Sequence, residues 1–222
     1  MIFEHFMSNP QVGVALLGVV ILAISMHEMA HAWMAYHLGD STAARMGRLT
    51  LNPLVHFDPV GLLCIFFTPF GWGKPVMCKP RDSREAMLIS AAGPFSNFVQ
   101  AIGLAILFRL LSWEPIRSGL DSFSYGFSLW YASAMVFLLG VEINIGLAFF
   151  NLIPLYPLDG EKILIDLLPE PQANRMEEFR QYSTPVLLLL LLSGSMFHFP
   201  ILSWYLNWTA QPLSVLLLGK SF

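Results

Sequence analysis

Long apolar stretches separated by short polar ones dominate the chain. No charged residue falls between Glu4 and Glu28, between Glu85 and Arg109, between Asp121 and Glu142, or between Arg180 and Lys220. A helix crossing the hydrocarbon of a bilayer needs about 20 predominantly apolar residues, so these stretches predict an integral membrane protein. The first, Gln11–Leu38, ends at Gly39-Asp40, where glycine suits a helix C-cap. Ala86–Leu111 and Ser124–Phe150 predict two further full spans.

Between the first two spans the pattern changes. Ser41–Asp58 is polar, and the alternation in Met46-Gly47-Arg48-Leu49-Thr50-Leu51 predicts a short strand. Pro59–Phe70 is apolar but short and holds Pro59, Gly61 and Pro69, which suits a re-entrant segment better than a crossing. Gly71–Val76 predicts a turn into a second strand. After the third span, Asn151–Gly160 contains Pro154 and Pro157 and predicts broken, non-helical backbone. Glu170–Arg180 reads as a polar surface helix, and Ser183–Gly219, split at His198-Phe199-Pro200, holds one or two C-terminal transmembrane helices. The expected fold is an all-α polytopic membrane protein. It has a three-helix catalytic core, a small β-rich, re-entrant loop, and a single domain over 1–222, with its core at about 11–162 and its C-terminal helices at about 183–219.

Composition agrees. Of 222 residues, 55% are hydrophobic and 12% charged, about half the charge of an ordinary soluble domain. A net charge of −3 without a basic run excludes nucleic acid as a partner. Cys64 and Cys78 form no CxxC pair and no disulfide framework. Glu4, with no Lys or Arg ahead of the first apolar run, argues against a signal peptide.

The chemistry lies in His27-Glu28-Met29-Ala30-His31. Residues four apart share one helix face, so both imidazoles can reach one metal ion, and the intervening glutamate is placed to take a proton from the attacking water. Chance would give this pattern in about six chains per thousand of such composition. Left unpartnered, each ionisable group deep in a membrane helix costs about 2.5–3.5 kcal/mol, which favours the metal. A catalytic zinc site takes three protein ligands and keeps one position open. His5, His37 and His198 are poorly placed, whereas Asp159, in the broken segment before Gly160, supplies a carboxylate where a tight turn is allowed.

Together with Gly93-Pro94-Phe95-Ser96-Asn97 and Asn151…Pro154…Pro157-Leu158-Asp159-Gly160, this pattern resembles the site-2 proteases, intramembrane zinc metalloproteases. The likeness covers roughly Val12–Lys162. Gly47–Pro53 and His56–Pro59 look like the small bacterial-type branch, which lacks PDZ and nucleotide-binding domains. The resemblance implies one zinc ion held by His27, His31 and Asp159, with Glu28 as general base. It implies that the Asn151 amide holds substrate backbone or the developing oxyanion, the simpler alternative being a helix-end cap. The implied substrate is a membrane protein with a transmembrane segment, cut within or beside the bilayer. Gly93 and Asn97 are expected to pack the second span against the catalytic helix, and His56 to cap a loop. Glu142 is expected to face the bundle interior and pair there. A di-iron oxygenase would need more ligands and an HxxHH motif; a zinc transporter or metal-binding pseudo-protease would not need Glu28.

For the metal ligands to meet, the ends of the first and third spans must share one side, which requires Pro59–Phe70 not to cross. Arg45, Arg48, Lys74, Lys79, Arg81, Arg84, Lys162, Arg175, Arg180 and, with two C-terminal crossings, Lys220 then share a face, against Arg109 and Arg117 on the other. The positive-inside rule puts the larger set in the cytoplasm of a cell membrane, the active site near the cytoplasmic leaflet and the N-terminus outside.

Overall fold

In a computed structural model, the described residues are 7, 9–67, 71–111 and 125–219. Expectations for His5, Arg117, Lys220 and the end of the re-entrant piece lie outside them. Eight α-helices are described: α1 (Pro10–His37), α2 (Thr42–Arg45), α3 (Pro59–Phe67), α4 (Ser83–Leu111), α5 (Tyr125–Asn151), α6 (Asp159–Leu167), α7 (Glu170–Phe197) and α8 (Ile201–Leu218). Three stretches are long and apolar enough to cross a membrane: α1, α4 and residues Ser133–Asn151 of α5.

Local chemistry fixes the ends. The Asn9 side chain accepts from Val12 N at 3.4 Å, with Pro10 in the first helical position, and α1 stops before Gly39, whose φ of +96° suits glycine. Asp58 caps α3 by accepting from Val60 N and Gly61 N, both at 2.9 Å. Small residues let the long helices approach closely. Ala101 and Ala105 of α4 pack against Ala134, Val141 and Ile145 of α5, and Ala210 and Leu218 of α8 close the same core. At Gly140 a Cβ would stand 3.0 Å from a Leu104 methyl and 3.2 Å from one of Val19, so α5 meets α4 and α1 there.

The start of α4 returns to the end of α1. Arg81 donates to Leu38 O at 2.9 Å, and Lys79 N donates to Asp40 Oδ2 at 2.6 Å. The excursion through α3 therefore begins and ends at one end of the bundle.

The expected β-rich loop is corrected. Among the described residues there is no strand, only a single antiparallel bridge between Phe57 and Gly73. Met46–Leu51 forms turn and bend, with Gly47 at φ +71°. The buried Arg48 side chain donates to Val55 O and Lys74 O, so a guanidinium, rather than a backbone ladder, ties this loop to the 71–80 segment. The boundary expected after Arg180 is also absent: the polar and apolar stretches form one continuous helix, α7. It turns at His198 into α8, where Tyr205 OH donates to Phe149 O at 3.1 Å.

Candidate metal centre

Two elements bring three ligand atoms together. His27 and His31 lie one turn apart on α1, and Asp159 opens α6 immediately after the broken segment. The two Nε2 atoms stand 3.1 Å apart, and Asp159 Oδ2 lies 3.1 Å from His27 Nε2 and 3.2 Å from His31 Nε2. All three residues are buried.

Hydrogen bonding at the far side of each ring sets its tautomer. His31 Nδ1 lies 2.6 Å from Ile89 O, a carbonyl that can only accept, so Nδ1 carries the hydrogen. His27 Nδ1 lies 2.7 Å from Asn97 Oδ1. Asn97 Nδ2 donates to Ala23 O at 3.3 Å and to Asn144 Oδ1 at 3.1 Å, which orients the amide oxygen towards His27. Asn144 in turn donates to Gly140 O at 2.9 Å. Both Nε2 lone pairs therefore face a buried carboxylate oxygen, Asp159 Oδ2, which has no hydrogen-bond partner among the described residues. Three acceptors converging without a donor need a cation between them.

The spacing fits zinc. Donor atoms about 2.0–2.1 Å from a tetrahedral ion stand about 3.3–3.4 Å apart, close to the separations here. Room is left on the α4 side because residue 93 is glycine: a Cβ there would lie 2.4 Å from His31 Nε2 and 2.6 Å from His27 Nε2.

A cavity of about 490 Å³ opens onto this group and is lined also by Glu28, Ser90, Asn151 and the 71–80 segment. Glu28 faces Gly73, where a Cβ would come within 3.0 Å of Glu28 Oε1, so the backbone passes directly over the carboxylate. Asn151 reaches the cavity with its Nδ2 donating to Leu147 O at 2.9 Å.

The remaining residues singled out in the sequence fall elsewhere. His56 is fully buried; its Nε2 donates to Thr50 O at 2.7 Å and its carbonyl accepts from Lys74 N at 2.7 Å, so it holds the loop. Burial, reinforced by the Arg48 charge, keeps its imidazole below the ordinary histidine range and neutral. The expectation that Glu142 faces the interior is corrected: it is exposed on α5. At about 100° per residue it lies about 200° around the helix from Asn144, which takes the interior polar position instead. Asn144 is the contributor that sequence reasoning missed; its one signal is a polar amide inside a mostly apolar span.

Comparison with known proteins gives the family. Residues 124–194 match the model of peptidase family M50. The chain is 38% identical over 200 residues to YwhC of Bacillus subtilis, named a candidate zinc metalloprotease, covering 85% of each chain. It is 26% identical over 210 residues to Rip2 of Mycolicibacterium smegmatis (89% of this chain, 76% of the relative) and 27% identical over 194 to Rip2 of Mycobacterium tuberculosis (83% and 70%), which carry the same class of name. No solved structure matches. The fold and the sequence relationships define a zinc metalloprotease with membrane-spanning helices. The chain belongs to peptidase family M50, the site-2 protease family.

Proposed function

We propose that this chain is a single-domain intramembrane endopeptidase that hydrolyses peptide bonds in transmembrane or membrane-adjacent segments of membrane proteins. The observation carrying this reading is the triangle of His27 Nε2, His31 Nε2 and Asp159 Oδ2 beside Glu28, with the histidines and the glutamate on a helix long enough to cross a bilayer and Asp159 at the start of the short α6.

In this reading His27, His31 and Asp159 hold the zinc. When bound, zinc polarises the scissile carbonyl and makes water a stronger acid. Glu28 takes the proton from the attacking water and returns it to the leaving amine, so its carboxylate ends the cycle as it began. The Asn151 amide has two hydrogens; one can stay on Leu147 O while the other meets the substrate carbonyl. The 71–80 segment forms one wall of the cavity, and a substrate unwound from its helix can lie along it and pair with its backbone groups.

Topology follows from charge. Arg45, Arg48, Lys74, Lys79, Arg81, Arg84, Lys162, Arg175 and Arg180 belong to segments at the metal-centre end, and Arg109 to the opposite one. The positive-inside rule then places the centre near the cytoplasmic leaflet of the cell membrane, with α3 re-entering rather than crossing.

The test is Glu28→Gln in the full chain, co-expressed with single-span candidate substrates. Zinc content is expected to be unchanged and cleavage abolished. Cleavage at the normal rate by the variant would overturn the assignment of Glu28 and the mechanism.

A further inference from the structure

We propose that α7 lies along the membrane face carrying the metal centre, its apolar half in the lipid of that leaflet, and that α8, less apolar than the three long stretches but running from one end of the bundle to the other, alone makes the crossing that follows. The inference rests on the membrane reading above but not on the peptidase chemistry.

α7 is tied to that side within its first half and again just past its far end. In its first half, Arg180 grips the buried Glu161 through two hydrogen bonds, Nε to Oε1 at 2.7 Å and Nη2 to Oε2 at 3.2 Å. Its guanidinium carbon lies 5.4 Å from the centre of the Tyr156 ring. Glu161 is two residues beyond Asp159. Past its far end the chain turns at His198, Gly194 facing Pro200, and Tyr205 reaches Phe149 O. Phe149 stands two residues before Asn151, which lines the metal-centre cavity. The other end of α8 lies far away: Arg109 donates to Leu217 O at 2.6 Å and to Leu216 O at 2.8 Å. Along α4, Arg109 is about 30 Å beyond Ile89, whose carbonyl meets His31. α8 thus carries the chain from one end of the bundle to the other. α7, 28 residues and about 42 Å long, begins and ends at the same one. It cannot do so and also cross.

Its surface says what covers it. The charges, Glu170, Arg175, Glu177, Glu178 and Arg180, are confined to its beginning, and none follows before Lys220. Pro185–Leu192 is apolar on every side of the helix, and Leu188, Leu189 and Leu192 are 53%, 55% and 47% exposed. Of residues 170–194, only Ser183 and Ser193 are buried. Segregation along the helix, rather than around it, suits immersion of one half in hydrocarbon better than a one-sided contact with a second copy. The apolar half leads into α8 at the level of Phe149, and the polar half stays beside α6.

The test uses the full chain in sealed membrane vesicles, with a protease-cleavable tag after Phe222 and single cysteines in a background lacking Cys64 and Cys78. The tag is expected on the face opposite to that from which Asn174→Cys is labelled; a tag on the same face means that α7 crosses and overturns the proposal. A fluorophore on Leu188→Cys or Leu192→Cys should be quenched by lipids brominated near the headgroup. Quenching by aqueous iodide alone, or disulfide cross-linking between copies at Leu188→Cys, would overturn the lipid contact. The Glu28→Gln variant should give the same topology, so a failure of the peptidase reading and a failure of this one are separable.

Discussion

Asn97 and Asn144, on two different helices, join in a buried amide pair at 3.1 Å, and through it the position of α5 is relayed to the His27 ring on α1. Groups that orient a metal ligand are typically worth 10–100-fold in metal affinity or activity. Asn144→Leu leaves Asn97 free to turn over and present Nδ2 to His27. It is expected to lower zinc affinity by about 10-fold or more, measured by competition with a chelator. Asn97→Ala should cost at least as much; unchanged affinity in both would reduce the relay to packing.

Gly93 is predicted to tolerate no side chain. In Gly93→Ala the new methyl must displace two imidazoles, and overpacking of this kind costs about 1–3 kcal/mol. Lower zinc content and a lower unfolding temperature in detergent are expected together. A variant with full zinc would show that the rings can move aside.

For Asn151 the two roles separate kinetically. Asn151→Ala should keep its zinc, because the residue is not in the ligand triangle, and lose turnover by about 100- to 1,000-fold if the amide holds the oxyanion. A normal rate with slightly lower stability would return it to capping Leu147 O.

Cys78 supplies a pH dependence. Burial, assisted by the carboxylates of Asp40 and Glu28 and partly offset by Lys162, pushes its thiol up to about 11. Its thiolate is thus scarce near neutrality, and alkylation at pH 8 should be roughly 100-fold or more slower than for an ordinary thiol. The rate should climb up to about pH 11 in a chain carrying Cys64→Ser. Because the folded value is raised, the stabilisation it brings is complete below about pH 8.5 and is lost as the pH rises towards 11.

The grouping of His27, His31 and Asp159 and the three long apolar helices were legible because each leaves a local mark. A four-residue histidine spacing, a proline-broken carboxylate and uncharged runs are read without knowing what packs against what. Asn144 leaves no such mark: an amide within a mostly apolar helix becomes meaningful only when Asn97 is found opposite it. Met46–Leu51 misleads because alternation is compatible with a strand, whereas the buried Arg48 takes the carbonyls of Val55 and Lys74 that a neighbouring strand would have used. α7 misleads in the other direction, since the loss of charge after Arg180 is no break in the backbone. Glu142 shows that a charge in an apolar run does not announce which way it points.

The close seat of Gly160 has a consequence for the length of the chain around it. A Cβ at this position would lie 2.3 Å from Leu152 O and 2.6 Å from Ile153 O, so the start of α6 rests on the first residues after α5. Residues 152–158 are thereby a spacer of set length, and Asp159 is indexed to Asn151 through its own chain and not through the rest of the bundle. The amide and the carboxylate travel as one cartridge. Adding or deleting a single residue in that spacer would leave the histidine pair on α1 intact and put the third ligand out of step with it.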